Sequence, residues 1–350
     1  MTGQRAFGGI NYNITMMSKN IWCAIFMVIG MISCKKGGAK PEVKVDDTTP
    51  TVSASFRVVG YLRAHNVEDG QAIKFDFSKL THLNIAFINP DAAGNFTAVE
   101  GLSALVAAAH AKNVKVLASI GGGLAPAYYT TLIADKGSRA KLVSSIAALT
   151  DQYNLDGIDV DLEGSFVDGN YETFIVDLKK ALQPKSKLLT TAIATVYATQ
   201  YTNKALAQFD FINIMSYDKT GPWKPEKPGQ HSPYNMAVED LDYWAGTRGI
   251  AKEKLSLGLP FYGYGFGAGV REDMTFADII KTYPGAEDKD EVTVAAGGTM
   301  YYNGKPTIKS KTTLALQKAG GIMVWQLLQD AGGTNSLLNI IDAEVKAAKK

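Results

Sequence analysis

Four acidic side chains, beginning with Asp156, occur at a fixed spacing in residues 155–164, whose sequence is LDGIDVDLEG. Asp159, Asp161 and Glu163 alternate with apolar residues, which is the two-residue period of a β-strand. Side chains two residues apart share one face of a strand, so these three carboxyl groups are predicted to point the same way, about 7 Å apart. Three carboxylates held so close cannot all ionise freely. At least one is therefore expected to stay protonated near neutral pH, as a general acid must.

The other face of this strand is apolar, formed by Ile158, Val160 and Leu162, and the apolar Leu155 precedes the strand. The alternative is an edge strand with a solvated acidic face. This alternative fits poorly, because an edge strand does not require a fully apolar second face. We therefore predict a strand buried inside a domain. Carboxylates there are costly unless they have partners or a function.

The composition limits which classes of protein this chain can belong to. The chain has 350 residues, is 46% hydrophobic and contains 34 glycines, which predicts one large α/β domain with a substantial core. The net charge of +2 comes from Arg5 and Lys19, because the first 33 residues contain no acids, so the remainder is neutral. Nothing indicates a nucleic-acid partner. Phosphate-loop, HExxH and CxxC motifs do not occur in the sequence.

Residues 1–33 have the features of an export signal, with a possible true start at Met16 or Met17. The apolar run Ile21–Ile32 follows a lysine and is too short to span a bilayer, but it suits a signal peptide. Its end, Met-Ile-Ser-Cys, resembles a bacterial lipobox, which implies that Cys34 is lipidated. An ordinary signal peptide is the alternative.

Cys34 is the only cysteine outside the apolar run, so it cannot form an internal disulfide, which favours the lipoprotein. Residues 34–53 are predicted to be a flexible tether. We expect an exported lipoprotein of a bacterial cell envelope, held at the membrane by its lipid alone and facing the periplasm or the medium.

From residue 54 to 350, β-rich segments that end in polar or glycine-containing turns alternate with helical patterns. Eight segments are predicted as strands: Phe56–Leu62, His82–Ile88, Val114–Ile120, Gly157–Glu163, Leu188–Ala194, Phe211–Tyr217, Leu255–Phe261 and Gly321–Leu327. The clearest helices are Gly101–Lys112, Arg139–Tyr153, Tyr171–Leu182, Ala237–Thr247, Lys309–Lys318 and Leu337–Lys349. This alternation predicts an α/β fold, a closed (β/α)8 TIM barrel. Reactive groups in such barrels gather at the carboxyl ends of the strands, where Glu163 is placed.

The spacing Asp-x-x-Asp-x-Asp-x-Glu resembles the signature of glycoside hydrolase family 18, the chitinases and their relatives. Other predicted strand ends are similar to the family in turn: Gly60-Tyr61, Ala86-Phe87, Ser119-Ile120-Gly121-Gly122, Met215-Ser216-Tyr217-Asp218, Gly221-Pro222-Trp223 and Gly320-Gly321-Ile322-Met323-Val324-Trp325-Gln326. The resemblance spans about residues 56–345.

The resemblance implies retaining hydrolysis in which the substrate's own 2-acetamido oxygen attacks the anomeric carbon. Glu163 would protonate the leaving oxygen and later activate water. Asp161 would orient the acetamido group and share a proton with Asp159, and Tyr217 would hydrogen-bond the acetamido carbonyl. No metal or organic cofactor is implied. The expected partner is a saccharide containing N-acetylglucosamine, bound by a monomer.

The resemblance also implies residues that bind the substrate or support the acids. Tyr61 and Ser119 would hydrogen-bond the inner carboxylate pair, whereas Asp156 would anchor the turn of the acidic motif. The residues expected to line the subsites are Phe87, Gly121, Gly122, Met215, Asp218, Trp223 and Trp325, because aromatic faces stack on sugar rings.

Other aromatic and histidine side chains have more than one interpretation. Trp244 lies in an amphipathic pattern and is predicted to belong to the core. Tyr128 and Tyr129 fit either a cleft or helix packing. His65 and His231 fall in predicted loops on the active face, where exposed polar residues are an equally good interpretation.

The chain departs from the family pattern at two places. Gly123 stands where many chitinases have an aromatic residue, so the leaving-group side of the cleft should be more open. Between the last two strands, residues of about 263–308 leave room for only a reduced α+β insertion, with a hairpin predicted from Val292–Val294 and 298–304. A shallow groove favours endo-acting or short-chain cleavage.

Three functions are consistent with the sequence: a hydrolase of chitin or chito-oligosaccharides, an endo-β-N-acetylglucosaminidase acting on N-glycan cores, and a non-catalytic glycan-binding barrel. Trp325 and Gly221-Pro222-Trp223 favour the first function over the second. A non-catalytic barrel typically lacks the terminal glutamate, which is present here as Glu163.

Overall fold

The computed structural model describes residues 56–72 and 75–349, and within them the predicted barrel of eight parallel strands is confirmed. Its strands are β1 (Arg57–Arg63), β2 (His82–Ala86), β3 (Lys115–Gly121), β4 (Gly157–Asp161), β5 (Leu188–Ile193), β6 (Phe211–Ile214), β7 (Leu255–Pro260) and, after an insertion, β12 (Gly321–Trp325). Neighbours in the chain pair with each other, and β12 closes the barrel between β7 and β1. The predicted signal segment, Cys34 and the predicted tether of residues 34–53 lie outside the described residues.

Six of the eight strands end one to three residues earlier than the sequence pattern predicts. Two of these differences concern candidate site residues: the pattern extends the strands to Glu163 and Tyr217, whereas β4 ends at Asp161 and β6 ends at Ile214. β4 loses its neighbour at that point, because β3 turns away at Gly121, whose φ is +100°. Both functional side chains therefore lie on loops just beyond the carboxyl ends of their strands.

The helices lie between the strands, as the alternation predicts. They are α1 (Ala64–Glu68), α2 (Leu102–His110), α3 (Tyr129–Ala134), α4 (Lys136–Gln152), α5 (Tyr171–Leu182), α6 (Asn203–Gln208), α7 (Tyr234–Asp242), α8 (Phe276–Thr282), α9 (Lys305–Lys318) and α10 (Leu337–Ala348). The helix predicted over Ala237–Thr247 starts earlier, as α7, and its last turn, Tyr243–Thr247, is a π-helix. In the described part of the chain, no helix combines the length and apolar character needed to cross a membrane.

The segment between β7 and α9 forms a second, smaller sheet. Its strands are β8 (Tyr262–Phe266), β9 (Asp273–Thr275), β10 (Glu291–Thr293) and β11 (Thr299–Tyr301), arranged antiparallel in the order β10-β11-β8-β9. The predicted hairpin is present as β10 and β11, with Val292 opposite Met300. Because α8 follows β9, the insertion is a compact α+β unit.

The interior of the barrel is unusually polar at one level. TIM barrels normally fill this space with branched apolar side chains. Here six adjacent strands, β2 to β7, each contribute one fully buried polar side chain: Asn84, Ser119, Asp159, Thr190, Asn213 and Ser256. The apolar neighbours on the same strands, such as Ile158 and Val160, belong to the core that packs against the helices. The polar level lies directly beneath the acidic residues of the barrel mouth.

Candidate active site

The acidic side chains of β4 form a ladder from the barrel interior to its mouth. Asp159 is fully buried, Asp161 is 4% exposed, and Glu163 is partly exposed beyond the end of the strand. This gradient follows from the alternation of the strand, which turns every second residue inward. The structure therefore brings together the three carboxyl groups that the sequence pattern placed on one face.

The innermost carboxylate is surrounded by hydrogen-bond donors from three other strands. Asp159 Oδ2 accepts from the Tyr61 hydroxyl at 2.7 Å and from Ser119 Oγ at 2.8 Å, while Oδ1 accepts from Thr190 Oγ1 at 2.6 Å. Burial raises the pKa of Asp159, and these hydrogen bonds oppose the rise by stabilising the anion. Tyr61 and Ser119 thus contact the inner acid, where the family resemblance placed them.

Asp161 has the opposite environment. Its Oδ1 atom is buried and has no hydrogen-bond partner among residues 56–72 and 75–349. Burial, followed by the charges of Glu163 and Asp159, raises the pKa of Asp161 well above its ordinary value. The described hydrogen bonds include none between Asp159 and Asp161, so the sharing of a proton between them stays a prediction.

Glu163 has the protonation behaviour of a general acid near neutral pH. Burial raises its pKa from 4.5 to about 7, and the negative charge of Asp218 adds to this effect. A carboxyl group with this pKa is substantially protonated at pH 7 and can also act as a base after giving up its proton. Its position beyond β4 leaves it partly open to the cleft.

The turn after β6 brings three predicted residues to the same place. Met215, Tyr217 and Asp218 line one pocket with Glu163. Tyr217 is buried, and within the described residues its hydroxyl finds only the sulfur of Met323, at 3.7 Å, which is a weak acceptor. This hydroxyl is therefore free to donate to a ligand.

Asp218 lies at the rim of the pocket in a left-handed backbone conformation, with φ of 61°. Its Oδ1 accepts from the Tyr262 hydroxyl at 2.6 Å. His231 Nδ1 lies 3.4 Å from the same oxygen, and this histidine is fully buried rather than an exposed polar residue. The reason is that rings of the insertion, Tyr262 and Tyr264, pack around it at centroid distances of 5.0 and 4.9 Å.

Aromatic rings form the floor of the pocket that contains Asp161 and Glu163. Trp325 stacks on Phe87, with ring centroids 5.6 Å apart and an angle of 24° between the planes. The ring of Tyr61 also lies against the indole, with centroids 5.5 Å apart. The enclosed volume is ≈ 180 Å³, a space bounded by an aromatic floor and acidic walls.

Two glycines after β3 have a packing role in this pocket. A Cβ atom on Gly121 would lie 2.2 Å from Asp161 O, and one on Gly122 would lie 2.3 Å from the Phe87 ring. Their absent side chains therefore allow the acidic strand and the aromatic floor to approach. Gly123 has no such neighbour, and a side chain there would project into open space beside the pocket.

Two further cavities adjoin the central pocket. A cavity of ≈ 630 Å³ shares Glu163 but not Asp161 or Trp325, and a cavity of ≈ 260 Å³ shares Trp325 but not Glu163. Trp223 is 52% exposed and lines both flanking cavities, with its ring edge-on to Tyr264 at 5.2 Å. Together these cavities form a groove across the carboxyl end of the barrel.

Asp156 lies away from this groove. Its Oδ2 accepts from Val116 N at 2.7 Å and is 2.7 Å from His110 Nε2, so it joins β4 to β3 and α2. This agrees with the expected anchoring position. The described residues contain no group of three or more His, Cys, Asp or Glu side chains arranged to hold a metal ion.

The structure also shows where other aromatic and histidine side chains considered in the sequence analysis lie. Trp244 is fully buried, which confirms it as a core residue, and its Nε1 donates to Thr195 Oγ1 at 2.9 Å. Tyr129 is buried and its hydroxyl donates to Asn89 Oδ1 at 2.7 Å, which favours helix packing. His65 is exposed on α1.

Sequence reasoning missed three residues that surround the acids. Thr190 and Asn213 complete the polar level around Asp159, and Tyr262 supports Asp218 beside His231, which the sequence had placed on the active face. The signal available for Asn213 is a single polar residue inside the apolar strand Phe-Ile-Asn-Ile. No comparable signal marks Thr190 or Tyr262, because their partners are distant in sequence.

A (β/α)8 barrel with a raised-pKa glutamate above an aromatic floor, in a groove at the carboxyl end, defines the glycosidase class of TIM barrels. Comparison with known families agrees with this class. Residues 57–330 match the family described as "Glycosyl hydrolases family 18". The chain belongs to glycosyl hydrolase family 18.

Solved structures of chitinases are similar to the chain over most of its length. The GH18 chitinase ChiB from the chitin utilization locus of Flavobacterium johnsoniae is 39% identical, with a TM-score of 0.76, covering 83% of this chain and 94% of that one. A chitinase from Bacteroides thetaiotaomicron is 31% identical, with a TM-score of 0.72, covering 82% and 96%.

Among curated relatives, a chitinase-like effector of Moniliophthora roreri is 26% identical in an alignment of 253 positions that covers 63% of this chain. The chain spans 61% of the length of that relative. These similarities identify a chitinase-like glycoside hydrolase domain.

Proposed function

We propose that this chain is a retaining glycoside hydrolase that cleaves β-1,4-linked N-acetylglucosamine with the help of the substrate's own acetamido group. The observation that carries the proposal is the unpartnered, buried oxygen of Asp161 next to a glutamate with a pKa of about 7. A buried acceptor without a donor is costly, and the N–H of a 2-acetamido group would supply that donor. A sugar without this group would leave Asp161 unpaired.

The reaction follows from the positions of the side chains. Glu163 gives its proton to the glycosidic oxygen as the C–O bond breaks, and the acetamido oxygen forms a new bond to the anomeric carbon. The Tyr217 hydroxyl donates to the acetamido oxygen and aligns it for attack. As positive charge develops on the acetamido group, the adjacent Asp161 is increasingly favoured in its ionised form.

The second step regenerates the enzyme. The Glu163 carboxylate takes a proton from a water molecule, and the oxygen of that water attacks the anomeric carbon from the side the leaving group vacated. The ring formed by the acetamido oxygen opens, and the product keeps its original anomeric configuration. Glu163 is protonated again.

The shape of the groove supports cleavage within a chain. A general acid lies between the scissile sugar and the leaving group, so the cavity of ≈ 630 Å³ that shares Glu163 is the leaving-group side. The cavity of ≈ 260 Å³ beyond Trp325 then holds sugars on the other side. Because one cavity adjoins the pocket at Glu163 and another at Trp325, we propose endo-acting cleavage. The chitin utilization locus of the Flavobacterium relative supports chitin-derived oligomers as the substrate.

Product analysis tests the proposal. The protein is incubated with chito-oligosaccharides and, in parallel, with a high-mannose glycoprotein, beside Glu163→Gln and an exposed control, Glu291→Gln. Chito-oligosaccharide cleavage that falls about 10²–10⁴-fold in Glu163→Gln alone supports it, because the amide cannot donate the proton. Cleavage of the glycoprotein alone indicates an endo-β-N-acetylglucosaminidase, and sugar binding without any product indicates a non-catalytic barrel.

A further inference from the structure

Lys311 is fully buried in α9 and has no part in the chemistry proposed above. An ammonium group has three N–H donors, and its burial is costly unless each finds an acceptor. Lys311 Nζ contacts three acceptors: Ser232 O at 2.6 Å, Ser232 Oγ at 2.7 Å and Asn303 Oδ1 at 2.7 Å. Lys309 on the same helix is instead exposed and lies 3.3 Å from Glu344.

Burial of this amine is not explained by its contribution to stability. Burial lowers the pKa of Lys311 to about 7, and the acidic groups of Asp290 and Asp240 oppose that change. A buried charged group generally contributes little net stability compared with an apolar side chain of similar size. Net stability therefore does not explain why a lysine is buried here. The position of the groups that accept its hydrogen bonds indicates what Lys311 does.

The segment that accepts hydrogen bonds from this amine supports the turn after β6. The Ser232 hydroxyl, which accepts from the amine, donates to Ser216 O at 2.6 Å. At the other end of the turn, Lys219 N donates to His231 O at 3.0 Å. Both ends of the turn are thus held by two consecutive residues of one segment.

Tyr217 and Asp218 lie between these two fixed ends. The proposed function places Tyr217 on the acetamido group, and the charge of Asp218 contributes to the protonation of Glu163. Asp218 has a left-handed φ of 61°, which a non-glycine residue keeps only when its surroundings hold it. Asn303 adds a second support, since its Nδ2 donates to Ser232 O at 2.9 Å.

We propose that Lys311 is a positioning residue for this reaction, which through Ser232 fixes the turn that presents Tyr217 and Asp218 to the substrate. The inference rests on the proposed function. Without the amine, Ser232 O loses one of its two donors and the Ser232 hydroxyl loses the group that orients it. A misplacement of about 1 Å in such a turn costs about 10²-fold in rate, even when the change lies far from the chemistry.

The test compares Lys311→Met, Ser232→Ala, the double variant and a matched control, Lys309→Met, in the full chain. We measure kcat and KM on chito-oligosaccharides and hydrogen–deuterium exchange in residues 214–219. We expect Lys311→Met to lower kcat by about 10- to 100-fold with KM changed by less than about threefold. Exchange in the turn should accelerate, because its backbone opens more often. The double variant should be no worse than the poorer single variant, since both act through one contact.

Two results overturn the proposal: kcat of Lys311→Met within about twofold of wild type, or unchanged exchange in residues 214–219. An equal effect from Lys309→Met would show that the substitutions act by destabilising α9 as a whole, which would also overturn the proposal. If Lys311→Met does not fold, Ser232→Ala carries the same test, because it removes only a hydroxyl group. Inactive wild-type protein would refute the proposed function, while the exchange measurement still decides whether Lys311 fixes the turn.

Discussion

Replacing Glu163 with glutamine is expected to stabilise the folded protein at alkaline pH while it removes activity. In the folded state the pKa of Glu163 is raised from 4.5 to about 7, first by burial and then by the charge of Asp218. The unfolded chain ionises this group near its ordinary value, so between these two pH values only the folded state holds the proton. Stability is therefore lost as the pH rises from about 4.5 to about 7.

The size of this loss follows from the two pKa values. The gap between 4.5 and about 7, at about 1.4 kcal/mol for each tenfold change in proton affinity, gives about 3 kcal/mol. Glutamine has nearly the same shape but cannot ionise. At pH 8 the variant should therefore gain about 3 kcal/mol in unfolding free energy, relative to its effect at pH 4.

Urea unfolding of wild type, Glu163→Gln and the exposed control Glu291→Gln at pH 4, 6 and 8 measures this difference. The gain should appear between pH 4 and pH 8 for Glu163→Gln alone. A gain below about 1 kcal/mol, or an equal gain in the control, would refute the raised pKa and remove the reason for assigning Glu163 as the acid.

Four further results are expected. Asp161→Asn should lose most activity. A thiazoline analogue of the proposed intermediate should inhibit the wild type. Full activity on a substrate without the N-acetyl group would contradict both expectations. Asp218→Asn removes a charge that raises the pKa of Glu163, so the alkaline limb of kcat/KM against pH should move to lower pH, and an unmoved limb would argue against this coupling. Gly123→Trp adds a stacking surface in open space and should lower KM for long oligomers by about 3- to 10-fold, whereas an unchanged KM would exclude sugar contact there. From the proposed lipidation of Cys34, Cys34→Ser should move the protein to the soluble fraction with unchanged specific activity, and identical fractionation of both forms would favour a simple secreted enzyme.

The barrel and its acidic strand were predictable because their signals are local. The alternation in residues 155–164 depends only on the two-residue period of a strand, and the other seven strands are marked by β-rich segments that end in polar or glycine-containing turns. The ends of the strands were predicted less accurately. Glu163 and Tyr217 were predicted as the last residues of strands, but they lie on loops. A strand stops where its neighbour leaves the ladder, and the departure of β3 at Gly121 is a property of the pair rather than of β4.

The different states of the three acids could be decided only by the tertiary structure. Asp159 and Asp161 have the same side chain and lie two residues apart, yet one accepts three short hydrogen bonds and the other leaves an oxygen unpaired. The donors to Asp159 come from residues 31 to 98 positions away, such as Thr190 and Tyr61. A pKa depends on burial and on neighbours in space, so no pattern along the chain carries that information.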